Sequence, residues 1–241
     1  MALAPQGSPW ERGELKGGAP LNGPLQGRGG CSKVPNNAKA FDDAERRTAV
    51  MLARAAESKD PSSGSHIDRI FGYTLLLGRG LGLGEERAQE IACASMLHDI
   101  GKLTIPHSIL EKPGALTPEE WLVMQRHPME GVEMLKPSPT FDLAREIVRW
   151  HHERWDGSGY PDGLRGKEIP PSAAIVAVAD VYDALTSRRA YKAAWEAGHA
   201  IEELQRMAGV LLYPDAVDVL ADLWRNGTLR AAGAREQMRV G

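Results

Sequence analysis

Cysteine is scarce in this chain of 241 residues. Its two cysteines lie in a glycine-rich stretch (Cys31) and in the apolar segment IACASML (Cys93), so no disulfide framework is indicated. Long hydrophobic runs are also lacking, because the longest purely apolar run, residues 173–179, is far shorter than the roughly 20 residues that cross a bilayer. The first residues, MALAPQGSPW, have no basic region followed by an apolar one. These absences predict a cytoplasmic protein without a membrane span.

A surplus of basic residues is missing as well. The net charge is −3 and the isoelectric point is about 6.2. No global positive field is therefore available to hold duplex nucleic acid by neutralising its phosphates. An anionic substrate must be held by a few local cations.

Apolar periodicity is absent from the first part of the chain. Residues 1–36 contain eight glycines and five prolines, and such a segment cannot bury enough apolar surface to offset the entropy lost on ordering. We therefore predict that residues 1–37 form a disordered leader or linker. Residues 38–241 are expected to form a single domain.

Alternating strand patterns are lacking throughout, and helical periodicity takes their place. The sequence therefore predicts an all-α fold. Thr117 opens a capping box that begins one helix, and the helix over residues 85–100 is expected to carry His98 and Asp99 in its last turn. The other helices are predicted at residues 40–58, 66–80, 141–153, 195–210 and 214–224, and from the segment IPPS to Thr186.

Histidine and aspartate supply the chemistry. Five of the seven histidines begin or end a predicted helix or bend: His66, His98, His127, His151 and His152. Asp99 follows His98, and Asp180 interrupts the apolar helix AIVAVADVYDAL, where an ionised group must be paired, protonated or bound to metal. Imidazole and carboxylate without thiolate suit a catalytic iron, manganese, zinc, nickel or cobalt ion. Seven side chains are more than one such ion can bind. The pattern therefore predicts two ions that share a carboxylate, as in two-metal phosphoester cleavage.

Two motifs carry a resemblance to a known family. HDIGK at residues 98–102 and HHERWDGSGYPDGLRGKEIP at residues 151–170 resemble the HD-GYP family of the HD-superfamily phosphohydrolases. The similarity covers about residues 60–195. It implies an HD-superfamily helical bundle that hydrolyses cyclic di-GMP to pGpG through a hydroxide bridging two metal ions. Whether pGpG is cut further to GMP stays open.

The resemblance also implies residue roles at the metal centre. Asp99 is expected to bridge the two ions, and the resemblance implies that these are iron or manganese. Lys102 matches the family's catalytic lysine. Glu153 is expected to orient a ligand by a hydrogen bond, the alternative being an exposed side chain. One ion would be held by His66, His98, Asp99 and Asp180, and the other by Asp99, His127, His151 and His152.

Substrate contacts are implied at four further positions. Arg189 and Lys192 in SRRAYK match cations that grip phosphate. Tyr160 is expected to meet guanine or phosphate. Asp183, one helical turn after Asp180, is expected either to contact guanine or to support a metal ligand.

The family resemblance leaves a departure and two alternatives. Ser62 stands where many members have a glutamate that serves a third metal, so a third ion is not expected. The first alternative is a phosphohydrolase of another cyclic dinucleotide or nucleotide. The second is a sensor of cyclic di-GMP that does not turn over, or a module that docks diguanylate cyclase (GGDEF) domains through the loop Gly159-Tyr160-Pro161.

Overall fold

The computed structural model describes residues 43–57, 66–137, 139–187 and 193–229. Within these ranges the protein is all-α, without a β-strand. Short 3₁₀ turns cover Ile100–Thr104 and Gly166–Glu168. The α-helices are α1 (Asp43–Glu57), α2 (His66–Gly80), α3 (Glu85–Ser95), α4 (His107–Leu110), α5 (Pro118–Met124), α6 (His127–Met134), α7 (Asp142–Trp150), α8 (Pro171–Thr186), α9 (Ala197–Met207) and α10 (Pro214–Arg225).

Helix α8 forms the centre of the bundle. It is apolar on nearly every face, as expected of a helix enclosed by other helices, and it packs against α2, α7, α9 and α10. Its residue Val178 joins a core shared with α2, α9 and α10, while Val176 joins a second core shared with α1, α3 and α7. Asp180 therefore lies on an element held from several sides.

The predicted helix boundaries are confirmed in some places and wrong in others. Helix α2 spans the predicted residues, and Thr117 accepts a hydrogen bond from the backbone of Glu120 while the Glu120 side chain caps Thr117 in return. Helix α3, however, ends at Ser95 rather than at residue 100. His98 and Asp99 consequently lie in a turn ahead of a 3₁₀ segment. The short helix α4 was not predicted.

A close backbone contact explains why α3 ends early. A Cβ atom at Gly101 would lie 1.9 Å from the carbonyl oxygen of His127 and 2.7 Å from the backbone nitrogen of Gly131. The 3₁₀ turn thus lies directly against α6, which requires the chain to leave the α3 axis before Gly101. This contact brings the His98–Asp99 turn beside His127.

The ends of the chain lie outside the described residues. The predicted leader of residues 1–37 and the outer limits of the helical domain therefore stay predictions. Among the described helices, none combines the length and hydrophobicity that crossing a bilayer would require.

Candidate metal centre

The seven predicted metal ligands come together as two adjacent groups. Each group offers nitrogen or oxygen atoms that lie within 4.8 Å of one another. The side chains come from α2, the turn after α3, α6, the C-terminal end of α7, and α8. The first group is His66, His98 and Asp180, and the second is Asp99, His127, His151 and His152.

Asp99 lies between the two groups. Its Oδ2 atom is 3.3 Å from His98 Nε2, in the first group. Its Oδ1 atom is 3.3 Å from His127 Nε2 and 3.8 Å from His151 Nε2, in the second. One carboxylate oxygen therefore faces each group, which is the arrangement that a bridging ligand needs.

Four of the five imidazoles are oriented through Nδ1. His98 Nδ1 lies 2.8 Å from the Ser95 carbonyl oxygen, and His127 Nδ1 lies 2.8 Å from that of Met124. His151 Nδ1 lies 3.0 Å from the carbonyl oxygen of Val148. Acceptors at these positions hold a proton on Nδ1 and turn Nε2 toward the centre, which is how proteins orient metal-binding histidines.

His66 is oriented by a carboxylate rather than a carbonyl. Its Nδ1 atom lies 2.7 Å from Asp183 Oδ2, and Asp183 also accepts hydrogen bonds from Arg69 Nε and Nη2 at 2.5 and 3.0 Å. Asp183 is buried, and burial raises the pKa of its carboxyl, but the hydrogen bonds from His66 and Arg69 prevail and lower it. The Asp183 carboxylate thus lies behind His66, a predicted ligand, on the side away from Nε2; both predicted roles of Asp183 stay predictions.

The centre contains polar atoms that lack hydrogen-bond partners. Among the described residues, Asp99 Oδ1, His127 Nε2 and His151 Nε2 are buried without one. Buried polar atoms are normally satisfied, and these three converge on one point. The donor set of imidazole and carboxylate, without thiolate, fits a divalent transition metal. The residues present therefore fit a metal centre.

The electrostatics of the centre are set by burial and by Asp99. Burial lowers the pKa of His98, but the charge of Asp99 and its contact with the imidazole outweigh this and raise it to about 9. Burial also lowers the pKa of His151 and, more strongly, of His152, where neighbouring histidines add to the effect. Burial raises the pKa of Asp99, yet Lys102 and the surrounding histidines hold it well below its usual range.

Lys102 stands at the rim of the centre. Its Nζ atom donates a hydrogen bond of 2.7 Å to Asp99 Oδ2. The side chain is about a quarter exposed. It also lines a cavity of about 30 Å³ together with Glu57, His66 and His98. A cavity of that size has room for water next to the first ligand group.

Glu153 supports the loop after α7 rather than a histidine. Its Oε1 atom accepts hydrogen bonds from the backbone nitrogens of Asp162 and Gly163 at 2.8 and 3.0 Å, and its Oε2 atom accepts one from Leu164 at 3.1 Å. The prediction that Glu153 orients a ligand by a direct hydrogen bond does not match this geometry. The alternative of an exposed side chain is wrong, since Glu153 is buried.

Tyr160 lies against the metal centre. Its ring is stacked on His152 at 4.8 Å between centroids, with an interplanar angle of 26°. The edge of Trp121 in α5 meets Tyr160 at 6.0 Å. His152 covers one face of the Tyr160 ring. The expected contact of Tyr160 with guanine or phosphate stays a prediction.

Some predicted residues lie outside the described part of the chain, and some contributors were not predicted. Ser62, Arg189 and Lys192 lie outside the described residues. Arg69, which binds Asp183, could have been suspected because it follows His66 by three positions on the same helical face. The approach of Glu57 to the cavity had no local signal.

Comparisons with known proteins identify the family of this chain. A model of the HD domain family matches residues 50–217. Over 181 residues, 74% of this chain and 48% of the relative, the chain is 46% identical to the cyclic di-GMP phosphodiesterase response regulator RpfG of Xanthomonas campestris pv. campestris. Over 175 residues, 72% of this chain and 34% of the relative, it is 45% identical to 3'3'-cGAMP-specific phosphodiesterase 2 of Vibrio cholerae serotype O1. The chain thus spans a third to a half of these relatives.

Solved structures share the fold. A cyclic GMP-AMP specific phosphodiesterase of V. cholerae, V-cGAP3, matches with a TM-score of 0.56 at 19% identity, over 76% of this chain and 50% of that one. The HDG"Y"P protein Bd1817 of Bdellovibrio bacteriovorus matches with a TM-score of 0.52 at 20% identity, over 77% and 66%. At these identities the likeness supports the helical architecture and nothing finer.

Proposed function

The chain belongs to the HD domain family, and from that premise we propose that it is a metal-dependent phosphodiesterase that opens cyclic di-GMP to pGpG. The observation that carries the proposal is the convergence of unpartnered Asp99 Oδ1, His127 Nε2 and His151 Nε2 in the second group, beside a first group that Asp99 Oδ2 faces. A fold does not by itself imply a reaction, but this constellation is the type that two-metal hydrolysis uses.

The cofactors we propose are two divalent ions, iron or manganese. Such a pair supplies a nucleophile at neutral pH and neutralises charge on the phosphoryl group. His66, His98 and Asp180 would hold one ion, His127, His151 and His152 the other, and Asp99 both. We do not propose a third ion, because Ser62 offers only a hydroxyl where a carboxylate would be needed.

The remaining residues of the centre would position the reacting phosphate. Lys102 Nζ lies beside Asp99, so its charge can stabilise the negative charge that develops at phosphorus or on the leaving 3′ oxygen. Arg189 and Lys192 are proposed to grip the phosphates from the segment after α8, where arginine offers a bidentate fork. Substrate orientation would then depend on cations local to the site, as the acidic net charge requires.

A second cyclic dinucleotide is an alternative substrate. The chain is about equally identical to a relative named for cyclic di-GMP and to one named for 3'3'-cGAMP. Both molecules present the same 3′–5′ phosphodiester to the metal centre and differ in one base. We propose cyclic di-GMP as the preferred substrate and 3'3'-cGAMP as the alternative.

The deciding experiment is chromatographic product analysis after anaerobic loading with iron(II) or manganese(II). The protein is incubated with each cyclic dinucleotide separately. The proposal expects pGpG from cyclic di-GMP, a loss of at least about 100-fold in rate for Lys102→Ala, and no product with Asp99→Ala. Faster turnover of 3'3'-cGAMP would transfer the proposal to that substrate, and metal uptake without any product would favour a sensor.

A role in partner docking is the weaker candidate. A sensor has no need of a full set of metal ligands, whereas all seven predicted ligands are present in the two groups. Docking of a GGDEF domain would use the outer side of the Gly159-Tyr160-Pro161 loop, since Tyr160 faces inward to His152. Co-purification of a diguanylate cyclase domain with this chain, compared with Pro161→Ala, tests that interaction separately from catalysis.

A further inference from the structure

The imidazole of His152 is held differently from the other four. Each of the others has an oxygen acceptor within 3.2 Å of Nδ1. In the described part of the chain, the His152 ring makes ring contacts and no hydrogen bond. Its neighbours are His151 at 4.1 Å between centroids, His127 at 4.9 Å and Tyr160 at 4.8 Å.

Tyr160 provides the only one of these contacts that comes from outside the ligand set. The Tyr160 and His152 rings are nearly parallel, at 26°. A flat ring on one face restricts rotation of the imidazole about its side-chain bonds, which is the restriction that a hydrogen bond to Nδ1 gives the other ligands. The stack therefore replaces the missing Nδ1 partner.

The loop that carries Tyr160 is tied to the backbone of the ligand segment itself. The backbone nitrogen of Tyr160 donates to the carbonyl oxygen of His152 at 3.3 Å. A Cβ atom at Gly159 would lie 2.4 Å from the Arg154 nitrogen and 2.5 Å from Glu153 Cα, so only glycine allows this approach. Glu153, directly after His152, binds three backbone nitrogens further along the loop.

Asp162 fixes the far side of the same loop. Its carboxylate accepts hydrogen bonds from Arg149 Nε and Nη2 at 2.8 and 3.0 Å, and from Trp150 Nε1 at 2.7 Å. Arg149 and Trp150 are the last residues of α7, immediately before His151. The loop is thus fastened to residues on both sides of the histidine pair, and its position is set by the same short segment that presents the ligands.

We propose that Tyr160 and Glu153 are positioning residues for the metal ligand His152: Tyr160 by stacking on the imidazole, and Glu153 by fastening the loop that carries Tyr160. The inference rests on the proposed metal-dependent function and assigns the Gly-Tyr-Pro loop a task within the centre. It concerns the second ligand group and leaves the group of His66, His98 and Asp180 unaffected.

The test separates the flat ring from its bulk. Tyr160→Phe keeps the ring, whereas Tyr160→Leu keeps much of the volume without a planar face. Titration of metal-free protein with manganese(II) in a calorimeter should give wild-type affinities for Tyr160→Phe and, for Tyr160→Leu, a 10- to 100-fold weaker affinity for one of two ions. His152→Ala marks the effect of losing the ligand altogether, and circular dichroism confirms that each variant is folded.

Glu153→Gln supplies an independent variant. The glutamine oxygen can still accept from Asp162 and Gly163, but its NH₂ group cannot accept from Leu164. We expect Glu153→Gln to lower the affinity for the same ion by about tenfold. In the metal-free protein, the imidazole protons of His152 should lose the upfield shift due to the Tyr160 ring in Tyr160→Leu, and part of it in Glu153→Gln.

The outcomes distinguish this inference from the proposed function. If the wild-type chain binds no ion, both are overturned. If it binds two ions and Tyr160→Leu binds them with equal affinity while raising only the KM for cyclic di-GMP, Tyr160 is a substrate contact and the positioning role is wrong. A lower affinity for one ion in Tyr160→Leu, together with wild-type affinities in Tyr160→Phe, supports the positioning role.

Discussion

Asp183 illustrates how much of the metal centre is decided by single atoms behind the ligands. It bonds His66 on one side and Arg69 on the other, and it is almost fully buried. Neutralising it would keep an oxygen acceptor for His66 but remove the charge that favours the Nδ1 proton. The effect should therefore appear in metal binding before it appears in substrate binding.

We expect Asp183→Asn to lower the affinity for one manganese(II) ion by about 10- to 100-fold, because residues that hydrogen-bond to metal ligands typically have effects of that size. Calorimetric titration of the metal-free protein measures it. Asp215→Asn, at an exposed residue in the first turn of α10, is the control and should bind manganese as the wild type does. A raised KM with unchanged metal affinity would show that Asp183 contacts the substrate and does not support a metal ligand.

At the scale of residues, the grouping of the predicted ligands could be expected from the motifs, and the contacts behind them only partly so. His98, His127 and His151 find carbonyl acceptors three residues earlier in the chain, so their orientation follows from local geometry. The bond between His66 and Asp183 joins residues 117 positions apart. Only the packing of α2 against α8 creates it, and no local pattern contains that packing.

At the scale of elements, Gly101 determines how the 3₁₀ turn meets α6. A methyl group there would collide with the backbone of His127 and Gly131, which cannot move aside as a side chain would. Gly72, inside α2, has nothing within 4 Å of its Cβ position. The two glycines therefore make a matched pair, one required by packing and one not.

We expect Gly101→Ala to lower the free energy of unfolding by about 3 kcal/mol through overpacking. Gly72→Ala should raise it by about 0.5–1 kcal/mol, since alanine is the better helix former. Urea unfolding monitored by circular dichroism measures both. Equal, small changes for the two variants would show that the 3₁₀ turn and α6 do not pack as described.

The junction of α2 and α3 gives a pH prediction. Glu85, in the first turn of α3, accepts hydrogen bonds from Arg79 at the end of α2 and from Gln89, and these lower its pKa from 4.5 to about 2. A depressed carboxyl pKa gives stability that is complete above about pH 4.5 and is lost as the pH falls toward 2. Glu85→Gln should therefore be less stable than wild type at pH 7, and the difference should shrink as the pH falls to 2.

Urea midpoints at the two pH values, with an NMR titration of the Glu85 carboxyl, check this prediction. A midpoint difference that is the same at both pH values would mean that Glu85 titrates normally. Glu86→Gln, the neighbouring acidic residue in the first turn of α3, serves as the control, because it leaves the bonds between Glu85 and Arg79 in place.

The secondary structure was predictable wherever the chain carries its own signals. Gly80 and the following glycines end α2, and Thr117 with Glu120 begins α5, so both were placed correctly. The end of α3 was misplaced, because the contact of Gly101 with α6 is a tertiary effect. The short helix α4 begins directly after Pro106 and has too few residues for a periodic pattern.

At the scale of the whole molecule, the metal centre connects elements that are distant in sequence. The ligands come from α2, α6, α8 and the segments after α3 and α7, so ions can bind all of them only in the folded state. A ligand that binds only the native state stabilises it by mass action. Metal binding should therefore be visible as global stability.

We expect manganese(II) at 100 times its dissociation constant to raise the free energy of unfolding by about 2.7 kcal/mol per independent site, relative to the protein in chelator. Urea unfolding with and without the ion measures the difference. Asp99→Ala should show little of this gain, because it removes the residue that faces both groups. An equal gain in that variant would place manganese elsewhere.

The two groups are unequal because one contains Asp180 where the other contains a third histidine. With Asp99 shared, the group of His66, His98 and Asp180 has two nitrogens and two carboxylates, whereas the other has three nitrogens and one carboxylate. The nitrogen-rich group carries one negative charge fewer and favours later transition metals, while the oxygen-rich group accepts manganese more readily. We therefore expect the two ions to enter in a fixed order, because the two ligand sets differ in charge and in donor type.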